Sequence, residues 1–100
     1  MGKREVIKIL RQYKLLISGH FDVDKVILFG SYATGNQRAD SDIDVAVVVN
    51  SIDSDFFFYA PLLWKLRHEV DDRIEPVLLV NGKDESGFLQ GILQTGLVIK

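Results

Sequence analysis

The sequence predicts an α/β fold, of the α+β kind, in which a small mixed β-sheet is covered by helices mainly on one side. Three observations predict it. Residues 26–29 form a short, continuously apolar run, residues 42–49 alternate, and a helical stripe then leads into a β-rich run at residues 74–80. Strands and helices therefore alternate along the chain. One hundred residues with 47% hydrophobic content suit a single domain over residues 1–100 with one modest core. No repeat, low-complexity tract or linker interrupts it.

In chain order, Val6, Leu10, Tyr13 and Ile17 recur at helical spacing with Lys and Arg between them, and Ser18-Gly19 follows as a stop. An N-terminal amphipathic helix is expected. Val26-Ile27-Leu28-Phe29, ended by Gly30, reads as a strand buried on both faces. From Asp42 to Val49, residues Ile43, Val45, Val47 and Val49 share one face, and Asp42, Asp44, Ala46 and Val48 the other. Leu62, Leu63, Leu66 and Val70 make a helical stripe ending near Asp71-Asp72, which begins between Ser54 and Pro61 and places Pro61 in the first turn. Ile74 to Val80 is a third strand, with Asn81-Gly82 as the turn after it. A short helix from Ser86 to Gln94, closed by Thr95-Gly96, precedes a small strand at Leu97–Ile99.

A helical crossover between the second and third strands favours a parallel pair, whose beginnings lie at the same edge. Only a dozen residues join the first and second strands, which favours an antiparallel pair. Both inferences bring Gly30-Ser31, Asp42, Asp44 and the beginning of the third strand to one rim.

Composition narrows the function. A net charge of -2 argues against a long nucleic-acid track, which needs basic residues to neutralise phosphate. Charged residues scattered through the first twenty positions exclude a signal peptide or membrane span, so a cytoplasmic protein with no membrane partner is expected. Met1-Gly2 opens like a myristoylation site, but Val6 stands where that motif requires Ser or Thr. Without cysteine there is no thiolate nucleophile or Cys-based zinc site. His20 and His68 lack metal-ligand spacing and read as ordinary surface or packing residues.

Asp42 and Asp44 project from one strand face, where each carboxylate raises the cost of ionising the other. A cation between them resolves the conflict, and magnesium takes oxygen ligands while keeping places for water and phosphate. An isolated D-x-D could equally be a solvated strand edge. Gly30-Ser31, with Ala33 and Gly35 behind it, lets the backbone turn sharply and present N–H groups at a helix start, an arrangement that holds phosphate. Alone, it is a common turn. Together at one rim, a phosphate cradle and two carboxylates equip a site for phosphoryl or nucleotidyl transfer.

The segment GSYATGNQRADSDIDVAVVV resembles the Gly-Ser, ten residues, Asp-x-Asp pattern of the minimal nucleotidyltransferases in the DNA polymerase beta-like superfamily. The likeness runs from the first strand to the third. It implies that fold, with Asp42 and Asp44 as metal ligands and catalytic residues, and Gly30 and Ser31 binding the triphosphate. It implies a third carboxylate on a later strand, for which Glu75 is the best match. The family more often has Asp there, and Pro76 directly after it removes a ladder hydrogen bond, suggesting a strand edge or irregularity. Asp71 and Asp72 are the fallback candidates, with capping of the preceding helix as their ordinary role. The implied reaction is NTP plus hydroxyl giving a nucleotidylated product and pyrophosphate, with ATP the usual donor and two Mg2+ ions about 3.5–4 Å apart.

Small members of this group are often antitoxins that adenylylate a HEPN-type toxin, so a partner protein is expected as acceptor, with homo-oligomerisation left open. Two other readings remain: a non-catalytic module that neutralises its partner by contact, and a small-molecule nucleotidyltransferase, which needs a pocket that this chain hardly provides. Phe56-Phe57-Phe58-Tyr59 cannot all point inward, so part of that run is expected at the surface as a docking patch, the rest and Trp64 packing in the core. Arg38, Arg67 and Arg73 read as ordinary surface charge.

Overall fold

The computed structural model describes residues 2–38, 40–52, 56–83 and 86–100, with the backbone alone at Phe56 and Phe57. The elements run α1 (Lys3–Ile17), β1 (Val23–Phe29), α2 (Ser31–Thr34), β2 (Ile43–Val49), α3 (Phe56–Leu66), a 3-10 turn (Arg67–Glu69), β3 (Ile74–Val80), α4 (Phe88–Thr95) and β4 (Leu97–Ile99). The four strands form one sheet in the order β3-β2-β1-β4. β1 is antiparallel to β2 and β2 is parallel to β3, as the connection lengths favour, and β4 adds antiparallel to the other edge of β1. Among the described residues no helix is long and apolar enough to cross a membrane.

Two faces of the sheet are covered unequally. On one, α1 lays down Val6, Leu10, Tyr13 and Ile17, the four residues of its apolar stripe, against Ile43, Val45, Val47 and Val49 of β2, and α3 adds Leu63 and Leu66. Tyr13 is wholly buried, and its hydroxyl donates to the Leu63 carbonyl at 2.9 Å, tying α1 to α3. Burial pushes the Tyr13 phenol far above its usual range, so it stays neutral and acts as a donor. On the other face, among the described residues, α4 packs Leu89 and Ile92 over Ile27, Ala46 and Val48. α4 is followed by Gly96, where a Cβ would meet the Ile92 carbonyl oxygen at 2.5 Å and the Ile27 side chain at 2.7 Å. The chain crosses β1 closely there because that residue is glycine.

Several expectations need correcting. Pro61 lies inside α3, the sixth described residue of the helix, and not in its first turn. It is exposed, so its ring faces solvent and the helix forgoes one backbone hydrogen bond. Helical geometry ends at Leu66, and the 3-10 turn carries the chain on to Val70, which is only partly buried. β1 starts at Val23, upstream of its apolar run, where a register shift between Val23 and Lys25 lets the charged pair Asp24 and Lys25 join the strand. Trp64 is 40% exposed and serves as a surface on which Arg67 stacks, 4.6 Å from the ring centre. Of the aromatic run, Phe58 is 63% exposed, while Tyr59 packs on Phe21 with ring centres 5.2 Å apart. The stretch 53–55, which holds the earliest expected helix start, lies outside the described residues, as do the Phe56 and Phe57 side chains.

Candidate active site

β1 ends at Phe29, which is paired with Asp44 of β2, and Asp44 is in turn paired with Glu75 of β3. The parallel register is set at its start by the Ile43 N–H, which donates to the Arg73 carbonyl at 2.8 Å. Because paired residues share a sheet face, Asp44 and Glu75 stand side by side at the rim, on the face that α4 covers. Asp42, just before β2, completes the group. The loop that delivers it is clamped at Arg38 and Ser41: the Arg38 N–H donates to the Ser41 hydroxyl at 2.7 Å and the Ser41 N–H to the Arg38 carbonyl at 3.1 Å.

The cradle touches the acids. Gly30 has φ 73 and ψ -149, a conformation essentially confined to glycine. A Cβ built there would meet the Asp44 carboxylate oxygen at 2.4 Å. Glycine is thus required twice at this position, by the backbone turn and by the acid lying over it. The turn passes directly into α2, where the Gly30 carbonyl accepts from the N–H groups of Ala33 and Thr34 at 3.1 and 3.2 Å. Ser31 opens this short helix beside Asp44's strand, and Tyr32 anchors it in the core.

Electrostatics register the crowding. Burial holds the Asp44 carboxyl above the ordinary carboxylate range, and the Asp42 charge adds to the shift, while hydrogen bonding with Glu75 pulls it down. Glu75 is raised by burial, by the charges of Asp42 and Asp44 and by a hydrogen bond with Asp42, with the Arg67 guanidinium opposing. Among the described residues, no three acidic or histidine side chains already stand as a ready-made ligand set. The donor chemistry fits magnesium all the same. The three side chains supply only carboxylate oxygens, and the absent Cβ of Gly30 lets the Asp44 carboxylate lie directly against the cradle.

The fallback acids are engaged elsewhere. Asp71 forms a forked pair with Arg73, at 2.9 and 2.6 Å, and accepts the Arg73 N–H at 2.9 Å. Asp72 pairs with His68 on the surface. His20 is exposed, like His68. Arg67 departs from its expected surface role. Its Nη1 donates to the carbonyls of Asp72 and Ile74 at 2.6 and 3.0 Å, bracing the chain that enters β3 one residue before Glu75. Its Nε is buried without a partner among the described residues. The i, i+3 spacing of Trp64 and Arg67 was the available signal, because it stacks the two on one helical face.

The family model of the polymerase beta nucleotidyltransferases matches residues 5–100, and the chain belongs to that family. Among curated relatives, two Methanocaldococcus jannaschii proteins are provisionally named protein adenylyltransferases. One is 34% identical over 79 residues, 77% of this chain and 78% of the relative. The other is 44% identical over 43 residues, and that match spans 43% of each chain. A Sulfolobus solfataricus protein, provisionally named a nucleotidyltransferase, shares the fold with a TM-score of 0.70 at 18% identity, over 96% of this chain and 80% of that one. A toxin-antitoxin structure with AMP-PNP does so with a TM-score of 0.62 at 24% identity, over 100% of this chain and 73% of that one.

Proposed function

We propose that the protein transfers AMP from ATP onto a hydroxyl of a partner protein, with Asp42, Asp44 and Glu75 holding Mg2+ and Gly30 and Ser31 holding the triphosphate. The observation that carries this reading is the convergence of Asp44 and Glu75, paired across β2 and β3, with Asp42 two residues upstream, on a glycine turn that only a residue without Cβ can make. Gly30 and Ser31 orient the phosphates through backbone N–H groups and a hydroxyl. Asp42 and Asp44, themselves anionic, would meet the reacting phosphate only through the Mg2+ that they would hold at the rim. Glu75, on the far side of Asp44 from the cradle, orients the incoming hydroxyl and accepts its proton as the new O–P bond forms and pyrophosphate leaves. Magnesium, when bound, supplies neutralisation of the phosphates and of the charge developing on the entering and leaving oxygens.

Pockets of about 100 Å³ bounded by His20, Ser51 and Tyr59 and of about 360 Å³ bounded by Phe58, Pro61, Leu62 and Lys65 line the described surface, and an acceptor supplied by a second protein needs neither. A tyrosine hydroxyl of a HEPN-type toxin is the proposed target, and exposed Phe58 part of the docking patch. The resemblance of the fold to a toxin-antitoxin structure supports this setting. Incubation with ATP, magnesium and the product of the neighbouring gene should add one or more AMP units to that product by mass spectrometry, and none with Asp44→Asn. A stable complex without mass change, and full inhibition of the partner by the Asp42→Asn, Asp44→Asn double variant, would instead establish a contact-only module. Neither complex nor mass change would point to a small-molecule acceptor.

A further inference from the structure

Across the rim the strands set a lateral order: β1 with Phe29 and the Gly30-Ser31 cradle, then β2 with Asp44, then β3 with Glu75. On the face to which these acids belong, the sheet's cover is α4. The helix lies with its end at Gly96 over Ile27 and Leu28 and its beginning at Phe88 against Phe29. The Phe29 and Phe88 rings meet edge to face at 5.8 Å between centres. Phe88 is held there from both directions. Its N–H donates to the Ser86 hydroxyl at 3.3 Å after a left-handed Gly87, and Leu89 beside it is anchored in the core. Yet Phe88 remains 41% exposed, so it is an aromatic surface that the fold leaves open against Phe29, the sheet partner of Asp44.

We infer that Phe88, backed by Phe29, is a stacking platform for the base of the bound nucleotide. The inference rests on the nucleotide-binding reading above and adds the part of the ligand that reading leaves unplaced. The flank decides which ring belongs there. Phe29 directly precedes the phosphate cradle and lies on the opposite side of Asp44 from Glu75, the residue assigned to the acceptor. A planar ring on this flank is therefore joined to the phosphates held at Gly30 and Ser31. Stacking accepts any base because each has a π-face, so the platform contributes affinity more than choice of base.

Calorimetric binding of two probes separates the alternatives: magnesium ATP and magnesium tripolyphosphate, which has the phosphates but no base. Three proteins are compared, the native chain, Phe88→Leu, which keeps an apolar cover over Phe29, and Phe88→Trp, which keeps a ring. Phe88→Leu should weaken ATP by about fivefold or more, the low end of what stacking contributes per base. It should leave tripolyphosphate unchanged, and Phe88→Trp should bind ATP at least as well as the native chain. Equal weakening of both probes would reduce Phe88 to a structural role and overturn the inference. So would unchanged ATP binding by Phe88→Leu, including the case in which only the KM of a protein acceptor rises. If the native chain bound neither probe, the nucleotide reading itself would fall, and the platform with it.

Discussion

Gly30→Ala separates the two roles of the glycine turn. At φ 73 and ψ -149 an alanine carries backbone strain of about 1–3 kcal/mol. Its Cβ would also stand 2.4 Å from the Asp44 carboxylate oxygen and 3.1 and 3.2 Å from the Asp44 Cγ and Cβ, so the acid must move. Together these predict a loss of at least about 2 kcal/mol, a fall in Tm of roughly 8 °C or more for a chain of this size. Gly35→Ala is the matched control. It too has positive φ, 82, but nothing lies within 4 Å of the new Cβ, so it should lose only the backbone strain, about 1–2 kcal/mol. Thermal melting with and without magnesium and ATP reads both effects. At a ligand concentration of about 100 Kd the native chain gains about 2.7 kcal/mol, roughly 10–20 °C. Gly35→Ala should keep that gain and Gly30→Ala should lose most of it. Retention of the full ligand shift by Gly30→Ala would refute the argument that this glycine sets the Asp44 carboxylate.

Three further outcomes are expected. Glu75→Gln should abolish transfer while ATP still shifts the melting curve, and Asp72→Asn, a surface partner of His68, should be mild; the reverse pattern would move the third carboxylate to Asp72. Hydrogen bonding with Arg73 holds the Asp71 carboxyl below its ordinary range, so its contribution to stability is full above the unfolded-state pKa and is lost as pH falls through the folded one. The Tm difference between native and Asp71→Asn should accordingly be largest near neutral pH and close toward pH 3; a constant difference would contradict that linkage. Pro61→Ala restores a helix hydrogen bond at an exposed position of α3 and should raise Tm by a few degrees, with circular dichroism showing no loss of helix; a lower Tm would mean that the proline's stiffening of the unfolded chain outweighs the missing bond.

Where one periodicity met one partner, the sequence was readable. The α1 stripe came through residue for residue, and β3 kept its expected ends, because each packs a single face on the core. The rim was legible by a longer route, since loop length chose the strand directions and the directions brought Gly30, Asp42, Asp44 and Glu75 to one edge. What stayed hidden depends on contacts between elements distant in sequence. The start of β1 at Val23 is carried by pairing with β2 over charged residues that no hydrophobic pattern marks. Arg67 acts through carbonyls that reach it only after the chain turns back into β3. Pro61 is tolerated because its face of α3 is open, which propensity rules for an isolated helix do not register.

β3 is an edge of the sheet, and an open edge invites a stray strand to add itself. Glu75 and Pro76 stand at the start of this edge, a charge followed by a residue with no N–H to offer. An intruding strand would find the ladder broken at its first rungs and a carboxylate in its path. Glu75 at the rim and the buried Pro76 beside it thus guard the sheet against self-association, and Pro76→Val would be expected to shorten the time to aggregation in a concentrated solution even where the melting temperature held.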